Sequence, residues 1–365
     1  MFPKYLKKDK DLRKIILGFL LSTAIFFGYY FFFNPYKFQL LYQSWDAPSY
    51  VVVAKSFYIP ALVELANTVR LPTAFFTAHF PLYPFFIRIF SFVGYFRSAI
   101  IVSQIFTLCY FIALYFLIRN IYPKAKFGFI IIPLILFTPR WFSISHIGSS
   151  EPTLLFFITL SLLFLRKEKY CLSAIMAALA QFTKPYSIFI FLGVVFYFLY
   201  KLFIARGKNT LQLTKKFLPF LLVPLSLLLI FAYYYHLYPD LSFLFIQQKN
   251  LGYFTFPPFS IFNNIKFTVI WQEGLVYTFI IYLGTIIVLF KKKFYDLAFI
   301  GLGLFLPLIF LVHEDLSRYA LIMLPLVFIA FEEVVTNKYF QLLLILLSPA
   351  IFLYAITFIN YNISP

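Results

Sequence analysis

Residues 18–58 read GFLLSTAIFFGYYFFFNPYKFQLLYQSWDAPSYVVVAKSFY. The run at 15–33 has no charge and is about as long as a helix that crosses a bilayer core, roughly 20 residues. Shortly after it ends, an acid, Asp46, stands beside Trp45 and just ahead of Ala47-Pro48. The apolar run sets the fold class, and the acid at its edge raises the question of function.

The rest of the chain repeats the first pattern. It has 365 residues, 62% hydrophobic and 12% charged, with a mean hydropathy of +0.89. Soluble domains carry about twice that share of charge. Apolar stretches are continuous, not alternating, which points to an all-α polytopic membrane protein and away from a membrane β-barrel. Eleven candidate spans, within a range of nine to thirteen, fall at 15–33, 98–118, 127–137, 152–165, 172–183, 187–203, 217–235, 276–290, 297–312, 320–331 and 340–359. The third, fourth, fifth and tenth are short for a crossing. No repeat or low-complexity linker interrupts them, so 1–365 reads as one membrane domain. The basic start followed by an apolar run resembles a signal peptide, but the run is too long and lacks a small-residue cleavage site.

The net charge of +18 comes from short Lys and Arg clusters between apolar runs, a topology signal and not a nucleic-acid surface. With the N-terminus in the cytoplasm, twenty-one of the 31 basic residues face inward and ten outward. Two outer segments are long, 34–97 and 236–273. The first holds two helix-like stretches that mix apolar residues with isolated charges, as helices lying in the membrane interface do. Cys109 and Cys171 fall inside apolar runs and form no metal or disulfide framework.

The same topology gathers the unusual polar residues outside. Asp46 can serve as a helix N-cap or as a reactive carboxylate. Glu151 opens a span before Pro152, where a carboxylate favours the positive helix end. Lys184 stands alone between apolar runs, as a snorkelling lysine or an anion ligand. Arg318 either pairs with Glu314 or Asp315 or binds substrate. His79 belongs to no metal-ligand spacing.

In order along the chain, these residues resemble the GT-C superfamily of membrane glycosyltransferases, specifically its GPI mannosyltransferase II-like (PIG-V-like) group. The resemblance rests on Trp45-Asp46 with Tyr50, Ala54 and Tyr58, then His79-Phe80-Pro81-Leu82-Tyr83-Pro84. It continues with Ser150-Glu151, Thr183-Lys184-Pro185, and Arg318-Tyr319 ahead of Pro325. Ser56-Phe57 before Tyr58 and His79 in place of Phe depart from the group's pattern, as does the lack of a Tyr or Thr before Glu151. The resemblance implies a GT-C fold with two juxtamembrane helices in the first outer loop. It also implies transfer of a sugar, by family a mannose, from a polyprenyl-phosphate donor to an acceptor hydroxyl with inversion. The acceptor is a glycolipid, polysaccharide or protein.

Such a reaction needs a base for the acceptor proton and cations for the departing phosphate. Asp46 is the expected base, and Lys184, Arg318 and His79 the expected donor and phosphate ligands. Trp45, Tyr50, Tyr83, Glu151, Gln247 and Gln248 are the expected substrate contacts. No cofactor is called for, and no ligand cluster marks a metal, although an acidic outer face can hold a cation. The site then faces the extracytoplasmic side, of the plasma membrane in a prokaryote or the endoplasmic reticulum in a eukaryote. A transporter or flippase, a lipid-linked sugar polymerase or ligase, and a non-catalytic scaffold are the rival readings.

Overall fold

The structure, a computed structural model, describes residues 9–125, 127–206, 209–242, 247–264 and 268–361. Among them there are no β-strands, and Phe254 and Leu311 form an isolated antiparallel bridge. The helices are α1 Lys10–Phe33, α2 Leu40–Gln43, α3 Ala47–Ser56, α4 Pro60–Ala66, α5 Leu82–Ile89 and α6 Tyr95–Ile121. Then come α7 Ile131–Leu136, α8 Pro139–Ile144, α9 Glu151–Arg166, α10 Tyr170–Gln181, α11 Ile188–Ala205, α12 Thr210–Phe217, α13 Leu222–Leu237 and α14 Gln248–Leu251. The last are α15 Val269–Lys291, α16 Tyr295–Phe305, α17 Leu316–Tyr319, α18 Leu324–Ala330, α19 Glu332–Val335 and α20 Lys338–Tyr361.

Six helical runs among the described residues, of 21 to 28 residues each, are long and apolar enough to cross a membrane. They are Lys10–Phe33, Tyr95–Ile121, Pro185–Ala205, Thr210–Leu237, Val269–Lys291 and Lys338–Tyr361. The chain is an all-α membrane protein. The other five of the eleven segments form shorter helices. The segment at 127–137 yields only the six-residue α7, about 9 Å long at 1.5 Å per residue. α15 begins at Val269, ahead of the expected 276, because the Thr268 hydroxyl accepts from the Trp271 amide at 3.3 Å and caps it.

Contacts divide the chain into two compact units. The first comprises Met1–Leu71, Tyr83–Phe156 and Glu332–Pro365, and the second Pro72–Leu82 and Phe157–Phe331.

In the first unit, α1 starts at Asp9, whose carboxylate accepts from the Asp11 and Leu12 amides at 3.1 and 3.2 Å. The same carboxylate takes the Tyr115 hydroxyl at 2.8 Å and pairs with Arg119, pinning the start of α1 to the end of α6. α1 stops at Asn34 because Pro35 follows. Phe26, Tyr30, Leu41, Ile100, Phe142, Ile147 and Ile351 belong to one hydrophobic cluster of this unit. α20 carries Pro349 in mid-helix, and the Ser348 hydroxyl instead donates to the Ile345 carbonyl that the proline leaves without a donor.

The first helix-like stretch of the 34–97 segment is two helices, broken where Phe57 and Tyr58 take φ of 44° and 66°. α3 is buried along nearly its whole length, since Val51-Val52-Val53-Ala54 offers no polar face to water. α4 and α5 keep mixed faces.

In the second unit, α11 and α16 cross through glycines. A Cβ on Gly303 would lie 2.4 Å from the Gly193 nitrogen and 2.6 Å from the Phe189 oxygen, so only glycine permits this approach. Arg166 grips Asp296 with two bonds of 3.0 and 2.9 Å and lies over the Phe294 ring. Partly shielded charge is tolerated there because one guanidinium nitrogen bridges both carboxylate oxygens.

Candidate functional site

The residues expected at the site fall into two groups, one in each unit. Trp45, Asp46, Tyr50, Tyr83 and Glu151 belong to the first; His79, Lys184, Gln247 and Arg318 belong to the second.

Asp46 occupies the N-cap position of α3, yet its side chain makes no capping bond. Its main-chain oxygen alone serves the helix, accepting from the Tyr50 amide at 2.9 Å. The simple helix-cap explanation of this acid is therefore removed. Trp45 has φ 52°, a left-handed conformation that costs a bulky residue on the order of 1–3 kcal/mol and tends to persist at functional sites. Side chains around it hold that conformation. Its ring meets Phe358 edge-on at 4.6 Å, and the Arg140 guanidinium lies 5.5 Å from the Trp45 ring and 4.0 Å from that of Phe358. Arg140 follows Thr138-Pro139, and Thr138 is also left-handed at φ 72°. An aromatic and cation cluster thus braces the residue that precedes the acid.

Tyr50, Tyr83 and Glu151 come together around one buried serine. Ser103 of α6 donates to the Ser149 carbonyl at 2.7 Å and accepts from the Ser149 amide at 2.8 Å. With the Ser103 proton given to Ser149, the Tyr83 hydroxyl divides its one proton between the Ala99 carbonyl at 2.8 Å and the Ser103 oxygen at 3.0 Å. The Tyr50 hydroxyl bonds Ser150 at 2.8 Å, and the Tyr50 ring stands edge-on to Tyr83 at 5.0 Å. Glu151 opens α9, is only 3% exposed, and accepts the Ser149 hydroxyl. Its place in the first turn puts a buried carboxylate at the positive end of the helix. Gly148 permits this packing, since a Cβ there would sit 3.0 Å from the Ala99 Cβ and 3.2 Å from that of Ala47, the neighbour of Asp46. The Tyr50 hydroxyl is thus engaged with Ser150, and the Tyr83 hydroxyl with Ala99 and Ser103 of α6.

In the second unit the two expected phosphate ligands are buried, Lys184 at 7% and Arg318 at 5% exposure. Lys184 is therefore no solvated loop lysine. It stands at the N-cap position of a 3-10 turn, Pro185–Ser187, with its ammonium 5.8 Å from the Tyr319 ring. Tyr319 is the residue after Arg318, and Tyr186 and His313 pack edge-on to its ring at 5.1 and 5.0 Å. Two buried cations thus lie on segments that meet at the Tyr319 ring, and buried cations of this kind suit an anion. The preceding segment is tied in as well, because the Leu82 amide donates to the Phe182 carbonyl at 2.9 Å. His79, 4% exposed, sits in a turn that Gln247 and Asn250 hold from outside, donating to the carbonyls of Thr77 and Ala78 at 3.2 and 3.5 Å. Gln247 thereby acts on the turn's backbone. The side chain of Gln248 lies outside the described residues.

Ser103, Ser149, Arg140, Asn250 and His313 were not anticipated from sequence. For Ser103 a signal existed: Ser103 and Thr107 are polar positions at i and i+4 on an apolar helix. His146 also went unnoticed. It packs against Phe26 and Phe142 with centroids 4.3 and 4.7 Å apart, and its Nδ1 meets the Phe142 carbonyl at 2.7 Å. Burial there pushes its pKa down to about 4, against the smaller raising effect of the Phe142 carbonyl, so it is neutral at pH 7. Among the described residues no three His, Cys, Asp or Glu side chains are grouped to hold a metal ion.

No family model, curated protein or solved structure matches the chain.

Proposed function

We propose that the chain is an inverting glycosyltransferase of GT-C type that moves a hexose, by its resemblance mannose, from a polyprenyl-phosphate donor to an acceptor hydroxyl on the extracytoplasmic face. The observation that carries the proposal is the burial of two cations, Lys184 and Arg318, on segments of a membrane protein that meet at Tyr319, which suits a lipid-borne phosphate. Asp46, placed at a helix start without capping it, supports the assignment of the base.

In this reading the Asp46 carboxylate takes the proton of the acceptor hydroxyl. The acceptor oxygen forms a bond to the anomeric carbon on the face opposite the phosphate, while the carbon–oxygen bond to phosphate breaks. The departing polyprenyl phosphate keeps that electron pair, and Lys184 and Arg318 hold its charge. A lipid phosphate needs no acid to leave, so one carboxylate is enough. Tyr50, Tyr83, Ser103 and Ser149 hold Glu151 in place for the acceptor or the bound sugar.

The test measures polyprenyl phosphate released by the purified chain from polyprenyl-phosphate mannose in the presence of membrane glycolipids. Asp46→Asn is expected to lower turnover by about 10²–10⁴-fold, the contribution of a general base, with membrane expression intact. Turnover near wild type in that variant would remove Asp46 from the chemistry. Lys184→Ala and Arg318→Ala are expected to weaken donor binding, and unchanged affinity in both would overturn the phosphate assignment.

A further inference from the structure

A groove beside the start of α6 involves none of the residues assigned above. It lies within the first unit and encloses about 830 Å³, inside the roughly 300–1,000 Å³ typical of small-molecule sites. Phe27 and Phe31 of α1, Phe38 and Tyr42, and Ile101 and Ile105 of α6 form most of its wall. Gln104 also lines it, but its polar atoms are engaged elsewhere: it accepts the Thr23 hydroxyl at 3.1 Å and donates to the Ser145 carbonyl. Apart from the Tyr42 hydroxyl and Arg97, the wall therefore places no hydrogen-bonding demand on an occupant and suits hydrocarbon.

One cation lines this groove, Arg97 in the first turn of α6. Its side chain is exposed, and among the described residues no acid or hydrogen-bond acceptor holds its guanidinium. Arg97, Ile101 and Ile105 recur at i, i+4 and i+8, so one face of α6 presents a cation and then an apolar strip. No side chain caps α6 at Gly94, so the positive end of the helix lies beside the same cation. A cation and a helix start at one end of an apolar groove match an amphiphile with an anionic head. Inorganic phosphate lacks the tail, and a neutral glyceride lacks the head.

We propose that this groove binds a phospholipid of the surrounding bilayer, with the lipid phosphate on Arg97 and an acyl chain along Ile101, Ile105 and the phenylalanines of α1. The site is independent of the sugar-transfer reading.

The test uses the full chain purified in detergent and follows its unfolding midpoint. The probes are dioctanoyl phosphatidylglycerol, dioctanoylglycerol, inorganic phosphate and polyprenyl phosphate. Phosphatidylglycerol is expected to raise the midpoint saturably, and dioctanoylglycerol and inorganic phosphate to leave it unchanged. Arg97→Ala should weaken the phospholipid by about tenfold, the weight of one charge-assisted contact, and Arg97→Glu should weaken it further. Ile105→Trp and, independently, Phe31→Trp should block the tail while leaving Arg97 in place. The proposal is overturned if dioctanoylglycerol matches phosphatidylglycerol, or if Arg97→Glu binds phosphatidylglycerol as the wild type does. It is equally overturned if polyprenyl phosphate shows the Arg97-dependent shift and phosphatidylglycerol does not.

Discussion

Replacing Ser103 with alanine removes a single oxygen, yet the structure assigns that oxygen three bonds. Two go to the amide and carbonyl of Ser149, at 2.8 and 2.7 Å, and one to the Tyr83 hydroxyl at 3.0 Å. Ser149 is buried in an irregular segment, where the described contacts give its main chain no helical partner. A buried polar group left without a partner costs about 1–3 kcal/mol. Two such groups put the expected loss from Ser103→Ala at roughly 2–6 kcal/mol, with nothing added for Tyr83, which keeps its bond to Ala99. Tyr83→Phe, by contrast, leaves both Ser149 bonds intact, and its expected loss is about 1 kcal/mol. The pair should be non-additive, because both variants remove the same Tyr83–Ser103 bond. Unfolding in mixed micelles of denaturing and mild detergent reads these losses, and amide exchange across 148–151 reads the local loosening. A loss below about 1 kcal/mol in Ser103→Ala, with exchange at 148–151 unchanged, would refute the claim that this hydroxyl braces the segment carrying Glu151.

Other consequences follow from the same geometry. Arg140→Ala removes cation contacts with Trp45 and Phe358, each worth on the order of 0.5–2 kcal/mol, and is expected to lower turnover more than donor affinity; an unchanged rate would detach Arg140 from Asp46. Gly303→Ala forces a methyl against the Gly193 backbone and should destabilise by about 2 kcal/mol or more, seen as reduced yield of folded protein; a wild-type yield and midpoint would contradict the crossing. His146, outside the six membrane-length runs, makes stability depend on pH. Its folded pKa of about 4 lies below the ordinary 6.5, so the unfolded chain binds more protons between these values. Its contribution is complete above pH 6.5 and is lost as pH falls toward 4, with a slope of up to about 1.4 kcal/mol per pH unit. His146→Gln should flatten that part of the profile, and an equally steep profile in the variant would assign the dependence elsewhere.

The sequence was legible where one segment decides its own structure. α1, α6 and α20 are continuous apolar runs whose length alone marks them. The region from 127 to 144 was not, because the left-handed Thr138 and Pro139 after it divide it into two short helices. At the site, the unusual acids and cations could be picked out one by one, since charge in an apolar chain is conspicuous. Their supports could not. Nothing local marks Trp45 as left-handed, as it would a glycine or asparagine, and the Arg140 and Phe358 contacts that hold it come from distant segments. The Ser103 brace likewise joins positions 46 residues apart through an ordinary serine.

The central claim is that Lys184 and Arg318 receive the phosphate of a polyprenyl-linked sugar while Asp46 performs the transfer. It is tested most directly by heating the purified chain with a panel of polyprenyl-phosphate sugars and following the unfolding midpoint. One donor is expected to raise the midpoint of the wild type and of Asp46→Asn alike, with the shift reduced in Lys184→Ala and Arg318→Ala and transfer lost only in Asp46→Asn among the donor-binding proteins. A midpoint that responds to no donor would contradict it.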